Sequence, residues 1–255
     1  MNQQDLTSQI AAYWDERIHD LAITTHPVGT PGFFQQLDDY RYGKLNYLPR
    51  LVDFSSYKDK NLLEVGCGAG IDLVRFARAG AKVTGIDLSK TALVLARKNI
   101  EQNGLSADLQ IMNGECMDFV DNTFDVVYAH GVLQYTADTG KMVAEIHRVL
   151  KPGGQAIIMV YNRISWLNLM RHVTKVPLEH EDAPVLKKFS IGELKQFLKA
   201  FKSYHIIPER FPVKTKLHSG WKARLFNDVF VGTFNFMPKA VVRPFGWHLM
   251  AFAVK

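Results

Sequence analysis

The sequence predicts an α/β protein built on a mainly parallel sheet. Short apolar runs alternate with helical stretches over residues 61–162, the pattern of strands joined by crossover helices. A glycine-rich turn follows the first apolar run at once, and an acidic residue closes the second.

Before that core, Ser8–Ala22 carries Ile10, Tyr13, Trp14, Ile18 and Leu21 at helical spacing, and Pro27–Gly32 breaks the chain. Phe33–Leu51 reads as a second helix. Residues 1–60 are therefore expected to form a helical lid or flank. Tyr13, Trp14, Phe33 and Phe34 are placed to order over a ligand.

In the core, Asn61–Val65 is the first strand, Ile71–Arg78 a helix, and Ala81–Ile86 a second strand ending at Asp87. Ser89 can N-cap the helix that runs to about Asn103. Ala107–Met112 and Phe124–Ala129 are the third and fourth strands. Thr139–Leu150 is a helix that stops before Pro152-Gly-Gly154, and Gln155–Tyr161 is the fifth strand.

Residues 163–255 extend the same domain. Ile164–Val173 is an amphipathic helix, and Ser190-Ile-Gly-Glu193 is a capping box opening a helix to about Phe201. Tyr204–Ile207 and Trp247–Val254 read as late strands, with an aromatic-rich insertion between them.

Composition excludes several classes. The chain is 47% hydrophobic and 22% charged, unlike a disordered protein. No apolar run reaches the roughly 20 residues of a membrane span, and the start has no basic-then-apolar leader pattern. Cys67 and Cys116 are too few for a disulfide framework or a zinc cluster. A cytoplasmic, metal-free protein is expected. The +6 net charge is concentrated late: residues 186–255 hold 13 Lys and Arg against 3 Asp and Glu, while the first 185 hold 18 against 22. Lys214, Lys216, Lys222 and Arg224 surround Leu217, Trp221, Leu225 and Phe226. That mix suits an acidic or lipophilic small molecule or a peripheral membrane contact, or simply a helix with charges in water. Nucleic-acid binding is not expected.

The turn Gly66-Cys-Gly-Ala-Gly70 lets backbone amides approach a ligand at Gly66 and Gly68. Its third glycine is one place early for a dinucleotide fingerprint. Glu64, just before it, would repel a pyrophosphate but suit a cation. Asp87 can accept both hydroxyls of a ribose, or serve only as an acid at a helix N-terminus. Leu88 offers an apolar face to a purine, and Glu115 in Gly114-Glu115-Cys116 can meet an exocyclic amine. Cys67, between the glycines, fills a small space and is not read as a nucleophile.

Leu63-Glu-Val-Gly-Cys-Gly-Ala-Gly70, Val83-Thr-Gly-Ile-Asp87, Asn122-Thr-Phe-Asp-Val-Val127 and Glu145-Ile-His-Arg-Val-Leu-Lys-Pro-Gly-Gly154 stand in order over about 100 residues. Together they resemble the class I S-adenosylmethionine-dependent methyltransferases, closest to the small-molecule branch with the ubiquinone, menaquinone and natural-product enzymes. The resemblance implies a Rossmann-like seven-stranded sheet with an antiparallel last strand, and S-adenosylmethionine as cofactor across the carboxyl ends of the first strands. It implies that Gly66 and Gly68 contact the methionyl part, Asp87 the ribose, and Leu88 and Glu115 the adenine. It further implies that the Cys116 amide meets adenine N1, and that Ala129 and His130 face the methionyl amine. Glu115 replaces the family's usual Asp, and the following loop lacks the usual Leu-Pro-Phe run.

Methyl transfer requires alignment above all, and a general base only for a protonated acceptor. His130 and Tyr135, near the end of the fourth strand, are the candidates for that base. Tyr13, Trp14, Tyr135, Tyr161 and Trp221 are candidates to line the acceptor pocket. The expected function is methylation of an O, N, C or S atom of a small molecule. RNA or protein methylation and a non-catalytic cofactor-binding regulatory module are the alternatives.

Overall fold

The structure is a computed structural model that describes residues 3–17, 23–174, 178, 180–212 and 225–255. Helix α1 (Gln3–Glu16) and helix α2 (Pro31–Lys44) precede the core. The stretch expected to be one helix from Phe33 to Leu51 is broken after Lys44, where the Leu45 amide turns back to the Arg41 carbonyl. A single turn, α3 (Leu48–Leu51), follows, with Pro49 at its start where a missing amide costs nothing.

The core runs β1 (Asn61–Val65), α4 (Ile71–Arg78), β2 (Lys82–Asp87), α5 (Lys90–Gln102), β3 (Asp108–Ile111), β4 (Phe124–His130), α6 (Thr139–Val149) and β5 (Leu150–Tyr161). Then come α7 (Trp166–Thr174), α8 (Ile191–Phe197), β6 (Ser203–Glu209), a π-helical turn Leu225–Phe230, short helices Val231–Phe236 and Lys239–Val242, and β7 (His248–Val254). The seven-stranded sheet has the order β3-β2-β1-β4-β5-β7-β6. β1 to β5 pair in parallel, and β7 enters antiparallel between β5 and β6.

The fifth strand, expected to begin at Gln155 after Pro152-Gly-Gly154, begins at Leu150. Leu150 pairs with Phe124 and Gln155 with Val126, so the residues between bulge out of the ladder, with Gly153 at φ 77°.

Period-two alternation divides the core. Leu62, Tyr128, Ile157, Met159 and Phe252 meet Leu73, Phe76 and Leu93 from α4 and α5 on one face. Leu63, Val127, Ile158, Val160 and Ala251 meet Met142, Ile146 and Leu194 from α6 and α8 on the other. The carboxyl ends of β1, β2 and β4 thus open side by side at one edge of the sheet, where parallel α/β proteins bind ligands.

Candidate functional site

At that edge lies a cavity of about 200 Å³. After β1 the chain turns sharply: the amides of Gly66 and Cys67 both donate to the Ile86 carbonyl, at 2.7 and 3.1 Å. Gly66, Gly68 and Gly70 all have positive φ. A Cβ on Gly66 would lie 2.4 Å from a Val132 methyl, so glycine is required there by close approach. A Cβ on Gly68 would meet nothing within 4 Å, because that backbone faces the cavity. The close neighbour of Gly70 is Ala96 of α5, 3.2 Å from a Cβ built there.

Of the residues expected to bind cofactor, Glu64, Gly66, Cys67, Gly68, Asp87, Leu88, Gly114, Glu115 and His130 line the cavity. Cys116 and Ala129 do not. The Cys116 amide already donates to the Asn113 carbonyl at 3.0 Å, and Ala129 is fully buried within β4. Trp14 and Tyr135 line the cavity; Tyr13 and Tyr161 do not, their rings packing edge-on against Trp14 and Tyr135 respectively. Trp221, Lys214, Lys216, Lys222 and Arg224 lie outside the described residues.

Asp87 accepts from the Gly68 amide and from the Ser89 amide, both at 2.9 Å. It therefore knits the glycine turn to the start of α5, and burial raises its carboxyl above the usual range. Glu64 is 5% exposed, and its Oε2 has no hydrogen-bond partner. Burial, then the neighbouring Asp72 charge, push its carboxyl well above the ordinary value. A cation or donor entering the cavity would relieve that cost. Burial likewise raises the Cys67 thiol, which suits a packing role.

Sequence reasoning missed Arg41 and Asp72. Asp72, in the first turn of α4, accepts from Arg41 Nε at 2.7 Å, from Arg41 Nη2, from Tyr42 at 2.8 Å and from Tyr128 at 2.8 Å. Burial alone would raise its carboxyl, but the Arg41 guanidinium and the Tyr128 hydroxyl hold it at about 2. An acid one residue inside a helix after a glycine turn was the available signal; its partner 31 residues upstream was not.

Both ring nitrogens of His130 face protein partners: Arg41 Nη2 is 3.2 Å from Nδ1, and the Tyr47 hydroxyl is 3.2 Å from Nε2. Burial and the Arg41 charge lower its pKa to about 3. Tyr135 donates its hydroxyl proton to Tyr161 at 3.3 Å. Neither arrangement favours the general-base role expected for these two residues.

Helix α1 covers the cavity through Thr7, Ile10 and Trp14. Gln3 Nε2 donates to Glu115 at 3.1 Å, and Lys141 Nζ donates to Gln3 at 2.9 Å. Phe33 and Phe34, expected in the lid, instead pack with Leu37 and Leu95 in a buried cluster.

Among the described residues, no group of His, Cys, Asp and Glu could hold a metal ion, and no helix is long and apolar enough to cross a membrane.

Residues 63–158 match the methyltransferase domain family. The chain is 32% identical over 131 residues to a ubiquinone biosynthesis O-methyltransferase of Pseudomonas paraeruginosa, covering 51% of this chain and 55% of that one. It is 38% identical over 98 residues to a sterol 4-C-methyltransferase of Caenorhabditis elegans, covering 38% and 29%. The match thus spans little more than half the length of the ubiquinone relative. In structure it is similar to the YcgJ protein of Bacillus subtilis, with a TM-score of 0.61 at 18% identity over 82% of this chain and 98% of that one.

Proposed function

We propose, from the match of residues 63–158 to the methyltransferase domain family and the likeness to a ubiquinone biosynthesis O-methyltransferase, that the chain is a class I S-adenosylmethionine-dependent methyltransferase that moves a methyl group to a hydroxyl on a planar small molecule. The carrying observation is the unpaired Oε2 of the buried Glu64 carboxyl, which lines the same cavity as the open face of Gly68. A buried acid with one oxygen unpaired, next to bare backbone, fits a ligand that brings its own cation.

The residues present suit that cofactor. Glu64 complements an ammonium, and Arg41, which lines the same cavity, complements a carboxylate. Asp87 keeps lone pairs for ribose hydroxyls beyond its two amide bonds. Leu88, Met112 and Met142 supply apolar walls for a purine, with Glu115 at its edge. When bound, the cofactor supplies an electrophilic methyl on a sulfonium. The chain's own work is to hold the acceptor in line and to exclude water, which contributes about 7–11 kcal/mol in well-oriented reactions.

Two findings support a flat hydroxylated acceptor. Trp14 and Tyr135 meet edge-on at 5.0 Å beside the cavity, a wall suited to an aromatic ring. The ubiquinone relatives are named O-methyltransferases. The comparisons do not favour RNA or protein as acceptor.

Calorimetry with S-adenosylhomocysteine tests the reading. Binding is expected, and Asp87→Asn should weaken it by about 1.5–3 kcal/mol, the worth of hydrogen bonds to a charged group. Absence of binding to the unaltered chain would overturn the proposal. Transfer of a labelled methyl to catechol tests the acceptor class.

A further inference from the structure

The chain between β6 and β7 turns apolar side chains outward. Val231, Phe234 and Val242 are buried and hold the segment to the body of the protein. The Phe230 ring stands 6.1 Å from that of Trp166 in α7. Around these anchors the usual order is reversed. Phe236 is 94% exposed, and Val229, Met237, Val241, Phe245 and, from α7, Leu169 are exposed with it. Single exposed apolar residues are ordinary, but a group of them on neighbouring elements marks a surface that meets something apolar.

The same segment is basic. Residues 211–247 hold Lys214, Lys216, Lys222, Arg224, Lys239 and Arg243 against a single acid, Asp228. Arg243 is exposed between Val241 and Phe245, so a cation and apolar side chains share one stretch of surface. A second copy of the chain would set like charge against like charge there. A nucleic acid would match the charge but offers no hydrocarbon to Val229, Val241 and Leu169. An anionic bilayer offers both, phosphates at its surface and acyl chains just beneath.

The position of the segment gives it a use. Glu209 pairs with His248, and His248 with Tyr161 at the end of β5. The segment therefore leaves and rejoins the sheet at the edge where the cavity lies. A row of polar side chains joins its base to the cavity wall. Trp166 Nε1 donates to the Arg210 carbonyl at 2.8 Å, and Arg210 Nη1 is 3.1 Å from His248 Nε2. The Tyr47 hydroxyl stands 2.6 Å from His248 Nδ1 and 3.2 Å from Nε2 of His130, which lines the cavity.

We propose that this face docks the protein on the surface of an anionic phospholipid bilayer. Phe236, Val241 and Phe245 enter the acyl boundary, and the basic side chains of the segment meet lipid phosphates. Docking stands apart from the methyl-transfer reading, because it is read on vesicles without cofactor or acceptor. Joined to that reading, it sets the cavity's edge of the sheet beside the membrane, which favours acceptors dissolved in lipid.

Co-sedimentation of the full chain with vesicles is the test. The protein should pellet with vesicles of phosphatidylcholine and phosphatidylglycerol and stay in solution with phosphatidylcholine alone. Raising salt from about 0.15 M to about 1 M should weaken the binding, because the screening length contracts. The double variant Phe236→Ser, Phe245→Ser should bind anionic vesicles about tenfold more weakly. Its affinity for S-adenosylhomocysteine should stay that of the unaltered chain, since neither residue lines the cavity. Phe236→Ser alone serves if the double variant melts early. Failure of the unaltered chain to pellet with anionic vesicles would overturn the proposal, and so would equal pelleting of the serine variants. A dimer in solution that the same variants dissolve, or RNA binding as tight as vesicle binding at equal salt, would also overturn it. Vesicle docking by a chain that binds no S-adenosylhomocysteine would sink the methyl-transfer reading and uphold this one.

Discussion

The Asp15 carboxylate of α1 accepts from the Ser89 hydroxyl at 2.8 Å, and the same oxygen accepts from the Thr91 amide at 2.9 Å. Ser89 is itself the N-cap of α5 and follows Asp87 by two residues. One acid therefore clips the first helix to the strand end that faces the proposed ribose site. These bonds hold the Asp15 carboxyl below its ordinary value.

We propose that α1 is the moving part of a lid, with Asp15 as its catch. Asp15→Ala should raise hydrogen exchange over residues 3–16 and weaken S-adenosylhomocysteine binding by about 1 kcal/mol, the worth of one capping interaction. Hydrogen-exchange mass spectrometry with and without ligand checks both. Residues 31–44 should exchange slowly in every case, because Phe33 is fully buried.

Two glycines of the same turn should fail in different ways. Gly66→Ala drives a methyl into Val132 at 2.4 Å and should lower the melting temperature sharply. Gly68→Ala meets open space at φ 53°, so it should cost only about 1–2 kcal/mol of stability from left-handed strain. It should nevertheless abolish detectable cofactor binding, because the new methyl projects into the cavity. Melting curves paired with calorimetry separate the two.

Asp72 should dominate the acid limb of stability. Its folded pKa of about 2 lies below the ordinary 3.8, so its contribution is complete above about pH 4 and is lost as pH falls toward 2. Asp72→Ala strands the Arg41 charge and should cost about 3–5 kcal/mol at neutral pH. Denaturant unfolding at pH 7 and pH 3 should show a smaller gap between the two proteins at the lower pH.

The capping box at Ser190 and Glu193 is closed in both directions, at 3.2 and 2.7 Å. Ser190→Ala should cost about 1 kcal/mol, seen as a melting temperature lowered by roughly 2–4 °C for a domain of this size. Methyl transfer should be unaffected.

Legibility in the sequence followed locality. β1 and α4 fall where the apolar runs place them, and Ser89 and Ser190 cap as their spacing predicts. The glycine turn and Asp87 announce themselves because strand, turn and helix are contiguous. Arg41 and Asp72 do not, because their meeting depends on how α2 packs against α4. The break after Lys44 was hidden for a similar reason: Leu45 and Leu48 keep helical spacing, while the tertiary burial of Tyr47 and Leu48 sets the bend.

The late arrival of β7 has a consequence for how the protein is made. Strands β1 to β5 and the glycine turn leave the ribosome well before residues 248–254, which pair with β5 on one side and β6 on the other. Until then β5 presents an unpaired edge with Ile157, Ile158, Met159 and Val160 in sequence, the kind of edge that recruits other chains. Slow translation through the segment between β6 and β7 would prolong that exposure, so chaperone demand during synthesis should track the speed of that stretch.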